Sequence, residues 1–157
     1  MRYPYKRPKK VAKDPSNPSE DDEQISFVSY LDDRRIPYWH TNNEMWTKSW
    51  SQKVRAKNMG VKSGIPDLFV VFKEGLVGIE MKRKKNGVVS PTQKFWAKML
   101  ERAGVPVYVC RGADNAIETV EYLLKNGYSL LQVDETYEEY VWRVEMEKKK
   151  RQKPVKF

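Results

Sequence analysis

Asp67, Glu80 and Lys82 are the residues of this chain whose types and spacing could do chemistry. Asp67 follows Gly64-Ile65-Pro66, and the other two sit in Ile79-Glu80-Met81-Lys82. Between them lie Leu68 to Phe72, a Lys73-Glu74-Gly75 turn and Leu76 to Ile79, which predicts two buried strands joined by a tight hairpin. Side chains alternate faces along a strand, so Glu80 and Lys82 project together while Met81 points the other way. Pairing that hairpin brings Asp67, at the start of the first strand, close to Glu80 and Lys82 near the end of the second. Two carboxylates can hold a hard divalent cation such as magnesium, which keeps part of its water shell and can bridge to a phosphate. Such a cation polarises a phosphodiester, while a lysine beside it orients the attacking water and offsets developing negative charge. The chemistry on offer is phosphodiester hydrolysis. A single Glu-x-Lys on a solvated strand is otherwise an ordinary ion pair. The Pro-Asp opening, the hairpin spacing and the apolar strands set this one apart.

The elements that must position these residues are legible around them. Ser19-Glu20-Asp21-Asp22 reads as a helix start, and Ile25, Phe27, Val28 and Leu31 give the helix an apolar face as far as about Arg34. Glu20 and Glu23 share a face, so an acid of this helix could lean over the strand site; acids in a first turn also suit the helix dipole without any other role. Residues 37–44 read as a short strand running into a polar loop that carries His40, Asn42, Asn43 and Glu44. Gln52 to Met59 reads as a helix capped by Gly60, and Gly64 lets the backbone approach a ligand closely. Ser90-Pro91-Thr92-Gln93 opens another helix, with Ser90 as N-cap, Pro91 at its first position and Gln93 completing a capping box. Val105 to Cys110 is a further buried strand, and a helix through Ala116, Val120 and Leu124 follows it. Ser129 to Val133 is a candidate edge strand, and Asp134 a candidate cap for a last, charged helix. Strands alternating with helices after a hairpin predict an α/β fold in a single domain. The expected organisation is a flexible basic arm over 1–18, a core domain over 19–128 and a carboxy-terminal extension over 129–157.

Thirty Lys and Arg against 21 Asp and Glu leave a formal charge of +9 among 157 residues. Such an excess favours a polyanionic partner through counterion release, with nucleic acid the first candidate. Lys53, Arg55, Lys57 and Lys62, interleaved with Trp46 and Trp50, suit phosphate pairing beside aromatic surface. Arg83, Lys84 and Lys85, directly after the Glu-x-Lys, read as a phosphate clamp. The chain carries no long apolar run and no charged-then-apolar leader, so it is expected to be soluble, cytoplasmic and not secreted, with no membrane partner. One cysteine, Cys110, and one histidine, His40, exclude an internal disulfide and the usual four-ligand zinc site.

Gly-Ile-Pro-Asp, then Ile-Glu-Met-Lys-Arg, then Ser-Pro-Thr-Gln, in that order, resemble the VRR-NUC family of the PD-(D/E)xK nuclease superfamily, over roughly residues 19–125. That family is found as small stand-alone phage proteins and as a domain of larger repair nucleases. The resemblance implies a restriction-endonuclease-like fold, with a central mixed β-sheet flanked by α-helices. It implies Mg2+ or Mn2+ on Asp67 and Glu80, with the Met81 carbonyl completing the shell and Glu23 as the helix acid. It also implies Lys82 at the attacking water, Gln93 in the active-site set, and His40, Asn43 and Lys94 near the phosphates. Branched DNA, four-way junctions or flaps, cut by a homodimer in a bacterial or phage-infected cytoplasm, is the biology that follows. A nucleic-acid-binding protein without catalysis, or a nuclease of RNA, are the alternatives.

Overall fold

The computed structural model describes residues 15–42 and 49–151. Asn43 and most of the expected amino-terminal arm lie outside the described residues.

Helix α1 (Glu20–Asp33) opens the domain, capped by Ser19, whose hydroxyl accepts from the Asp22 amide. A short strand β1 (Tyr38–His40) and a helix α2 (Trp50–Asn58) precede the predicted hairpin, β2 (Leu68–Phe72) and β3 (Gly75–Lys82). Helix α3 (Pro91–Arg102) crosses to β4 (Val107–Arg111), and α4 (Ala113–Lys125) follows directly. The sheet order is β1-β2-β3-β4. The first two pairings are antiparallel and β3–β4 is parallel, so the sheet is mixed, as the restriction-endonuclease-like fold requires. The hairpin pairs with Leu68 opposite Ile79, which fixes the face of every residue in it.

One face of the sheet makes the core. Leu68, Val70 and Phe72 of β2, Val77, Ile79 and Met81 of β3, and Cys110 of β4 pack with Phe27 and Leu31 of α1 and Ala116 and Val120 of α4. Tyr30 and Arg34 of α1 both bond to Glu121 of α4, tying the two covering helices together. The opposite face carries Gly78, Glu80 and Lys82, because residues of one strand separated by two share a face. There the ring of the buried Pro66 lies against Gly78, where a Cβ would stand 3.1 Å from Pro66 Cγ and from Val107 Cγ2. Gly78 thereby lets the Pro66-Asp67 corner sit flat on the sheet.

Two expectations are corrected here. Residues 129–133 form no strand; Leu130 makes an isolated antiparallel bridge to Phe72, at the end of β2 beyond the reach of the three-residue β1. The final helix, α5 (Tyr137–Arg151), belongs with the described residues from Gln132 to a separate compact unit. Its cap is Thr136 rather than Asp134: Thr136 Oγ1 accepts from the Glu139 amide at 3.3 Å and Glu139 Oε2 from the Thr136 amide at 2.8 Å, a reciprocal box that Asp134 is too far upstream to make.

Candidate active site

Asp67 is held from two sides. Its backbone carbonyl accepts from the Thr41 amide at 2.8 Å, and His40 Nδ1 lies 2.8 Å from the same oxygen, so β1 anchors the position. Its side-chain Oδ2 accepts from the Met81 amide at 2.7 Å, across the gap that the end of β2 leaves beside β3. A strand residue presents its N–H and C=O to the same edge. The Lys82 carbonyl accepts from Gly112 on the β4 side, so the Met81 carbonyl faces the Asp67 side.

Glu80 and Lys82 are both buried, and Lys82 Nζ lies 3.0 Å from Glu80 Oε1. Gln93 Nε2 donates to the same oxygen. The amide oxygen of Gln93 meanwhile accepts from Ser90 N at 2.8 Å, so the capping box that starts α3 also aims its glutamine at Glu80. The structural and site roles open to Gln93 in the sequence are one geometry. With Oε1 of Glu80 and Oδ2 of Asp67 engaged, the second oxygen of each carboxylate makes no hydrogen bond shown among the described residues and could take another partner.

Burial raises the pKa of Asp67 above its ordinary value, although the Met81 amide pulls the other way. Glu80 is pushed up to about 7, first by burial and then by the charge of Asp67, with Lys82 opposing. Two crowded, desolvated carboxylates favour a cation between them. Among the described residues no group of three or more His, Cys, Asp or Glu gathers to hold an ion. The donors present are two carboxylate oxygens and one backbone carbonyl, a set that fits a magnesium-type ion keeping several waters rather than an all-protein cage.

Folding binds protons at Glu80, since its pKa rises from the ordinary 4.5 to about 7. That contribution to stability is complete below about pH 4.5 and is lost as pH rises through 7. In EDTA the melting temperature should therefore fall between those limits, by the equivalent of at most ~3 kcal/mol. Glu80→Gln should flatten the profile, and a wild-type profile that rises over this window would contradict the assignment.

The acids of α1 divide differently from the expectation. Glu20 Oε1 lies 4.0 Å from Lys82 Nζ, and its charge acts on both Asp67 and Glu80. Glu23 is buried one turn later, where its Oε2 accepts from Ala113 N at 2.6 Å and braces the amino terminus of α4. Glu23 Oε1 is buried without a hydrogen bond and faces Lys84 Nζ at 4.0 Å. Glu20 is thus the α1 acid that reaches the Asp67–Glu80–Lys82 cluster. The sequence put both acids on one helix face but could not say where along the sheet that helix begins.

The expected basic residues scatter. Lys53, Arg55 and Lys57 lie on α2, which buries none of its side chains, and Lys62 follows it, exposed. Of the run after β3, Arg83 donates to the Asn17 carbonyl and Lys84 pairs with Asp114 and Glu23, while Lys85 is exposed. Lys84 is therefore partly neutralised as a phosphate clamp. Arg111, in register with Lys82 on β4, is a further cation near the site that no motif in the sequence marks.

Gly64 has a different neighbour from the ligand expected. At φ +87°, a Cβ there would stand 2.5 Å from the Thr92 carbonyl carbon and 2.7 Å from Gln93 N. The loop before Asp67 is seated on the first turn of α3. Gly64→Ala should cost about 1–3 kcal/mol from the left-handed backbone alone. By pushing Gln93 away from Glu80 it should also lower activity; unchanged melting temperature and turnover together would refute this.

A family model for the VRR-NUC domain matches residues 19–114. Among solved structures the chain is similar to a VRR_NUC domain protein, with a TM-score of 0.56 and 26% sequence identity, over 72% of this chain and 97% of that one. No curated protein matches it.

Proposed function

The chain belongs to the VRR-NUC family of nucleases, and we propose that it works as a DNA endonuclease dependent on Mg2+ or Mn2+. The observation that carries this reading is the division of labour among four side chains. Lys82 and Gln93 hold one oxygen of Glu80, the Met81 amide holds one oxygen of Asp67, and the two remaining oxygens and the Met81 carbonyl are left as ligands. The cation, when bound, supplies Lewis-acid polarisation of the phosphodiester and neutralises charge building on it.

The chain's own residues do the rest. Lys82, buried but for its approach to the site, orients the attacking water and places a cationic donor where negative charge develops on the phosphoryl oxygens. Gln93 keeps Glu80 in one rotamer, and Glu20 balances Lys82 from the end of α1. Glu23 fixes α1 against α4 and so keeps Glu20 in reach. The exposed lysines and arginines of α2 and of residues 62, 83, 85 and 94 contact backbone phosphates, which position the substrate without reading its sequence. The substrate we propose is branched DNA, a four-way junction or a flap, met in replication, recombination or repair. A homodimer would apply two such sites to a two-fold-symmetric junction. Among the described residues no helix is long and apolar enough to cross a membrane.

The test is cleavage of end-labelled four-way junction, flap and linear duplex DNA in Mg2+, Mn2+ or EDTA. Cutting that needs metal and ranks branched DNA above duplex supports the reading. Binding without cutting in either metal would leave a nucleic-acid-binding protein, and cutting by a strict monomer would remove the dimer.

A further inference from the structure

Beside Glu80 the sheet face is incompletely covered. Helix α3 crosses it without burying any of its own side chains, and Val109 of β4 is 40% exposed. The parallel register sets Val107 beside Gly78 and Val109 beside Glu80, so the two valines extend the face on which the catalytic carboxylate stands. Between this floor and α3 runs a groove of about 310 Å3 that begins at Glu80 and Gln93. Its surface is apolar at Ala97, Val107 and Val109, with the buried Pro66 beneath, and Lys94 and Lys98 stand along its α3 wall, with Glu101 one turn beyond Lys98. Those lysines are four residues apart, hence neighbours on one helix face.

A groove of this size lies at the small end of the range for small-molecule sites, about 300–1,000 Å3, which is room for one nucleoside and not for a duplex. An apolar floor suits the face of a base removed from its stack, and paired lysines suit the phosphate that follows it. We propose that the groove holds the single unpaired nucleotide next to the scissile phosphate, its base on Val107 and Val109 and its outer phosphate at Lys94 and Lys98. A paired nucleotide would have to bring its complement with it and cannot enter. The nuclease therefore selects DNA in which the nucleotide beside the cut is free, as in a flap or gap, over continuous duplex. This inference rests on the nuclease reading above.

Ala97→Phe and Val109→Phe fill the groove from its two walls, and Lys98→Ala removes a cation from its rim without touching the core. The ratio of flap to duplex cleavage should fall about tenfold or more in the two filling variants, and less in Lys98→Ala. In parallel, the wild-type protein in EDTA is titrated with a short oligothymidylate while the methyl signals of Val107 and Val109 are followed by NMR. They should shift in the wild type and stay still in Ala97→Phe. Wild-type cleavage with a ratio the variants leave unchanged, or with silent valine methyls, overturns the groove assignment and leaves the nuclease standing. Shifting methyls in a protein that cuts nothing uphold the groove and overturn the nuclease.

Discussion

Lys82→Ala should lower the rate of DNA cleavage by at least about a hundredfold, as removal of a donor aimed at developing charge typically does, while binding should stay close to that of the wild type. The asymmetry follows from where the lysine stands. It is buried against Glu80 and within 4.0 Å of Glu20, so it would meet substrate only at the reacting group. Phosphate affinity should come instead from the exposed cations, to which one buried charge among 30 Lys and Arg would add little. Losing one member of a buried pair typically destabilises by about 3–5 kcal/mol when the other stays charged. Here Glu80, already pushed up to about 7, relieves that cost by taking a proton, so the variant should fold near neutral pH with a lowered melting temperature. The comparison is of single-turnover cleavage with equilibrium binding on one flap substrate. Equal losses in both would mean that Lys82 serves affinity and not the chemical step.

Asp67→Asn should separate activity from stability in opposite directions. The asparagine carbonyl can still accept from the Met81 amide, so the junction between the loop and β3 survives. What disappears is a negative charge that raises Glu80 and that, with Glu80, would form the proposed cation site. Cleavage should fall by about a hundredfold or more, since the electrostatic provision for the transition state goes with the ion. In EDTA at pH 8, by contrast, the variant should melt higher than the wild type, because one of two crowded, partly desolvated carboxylates no longer has to be charged. Mg2+ should raise the melting temperature of the wild type and leave that of the variant unchanged. A variant that keeps this rise, or cuts at the wild-type rate, would place the cation elsewhere.

These outcomes also show where sequence stops being sufficient. The hairpin was legible because its period is local: once Leu68 to Phe72 and Leu76 to Lys82 are strands, Glu80 and Lys82 must share a face and Met81 must join the core. The start of α3 was equally legible, since Ser90, Pro91 and Gln93 satisfy one another within a single turn. The α/β class and the Asp67, Glu80 and Lys82 grouping followed from that local grammar, while Gln93 joined the group only through the resemblance carried by the order of the motifs.

What the tertiary structure alone decided depends on contacts between distant segments. Glu20 and Glu23 are equivalent on a helical wheel, and only the docking of α1 across the end of the sheet sends one to Lys82 and the other to the first amide of α4. Lys84 looked free beside Arg83 and Lys85 until the turn after β4 brought Asp114 to it. Val109 looked like one more core valine until the parallel pairing set it beside Glu80 on the face that α3 leaves open. The physical reason is the same in each case. Side-chain periodicity fixes which residues share a face, but loop closure and the packing of whole elements fix what that face meets, and those terms are summed over the entire fold rather than read along the chain.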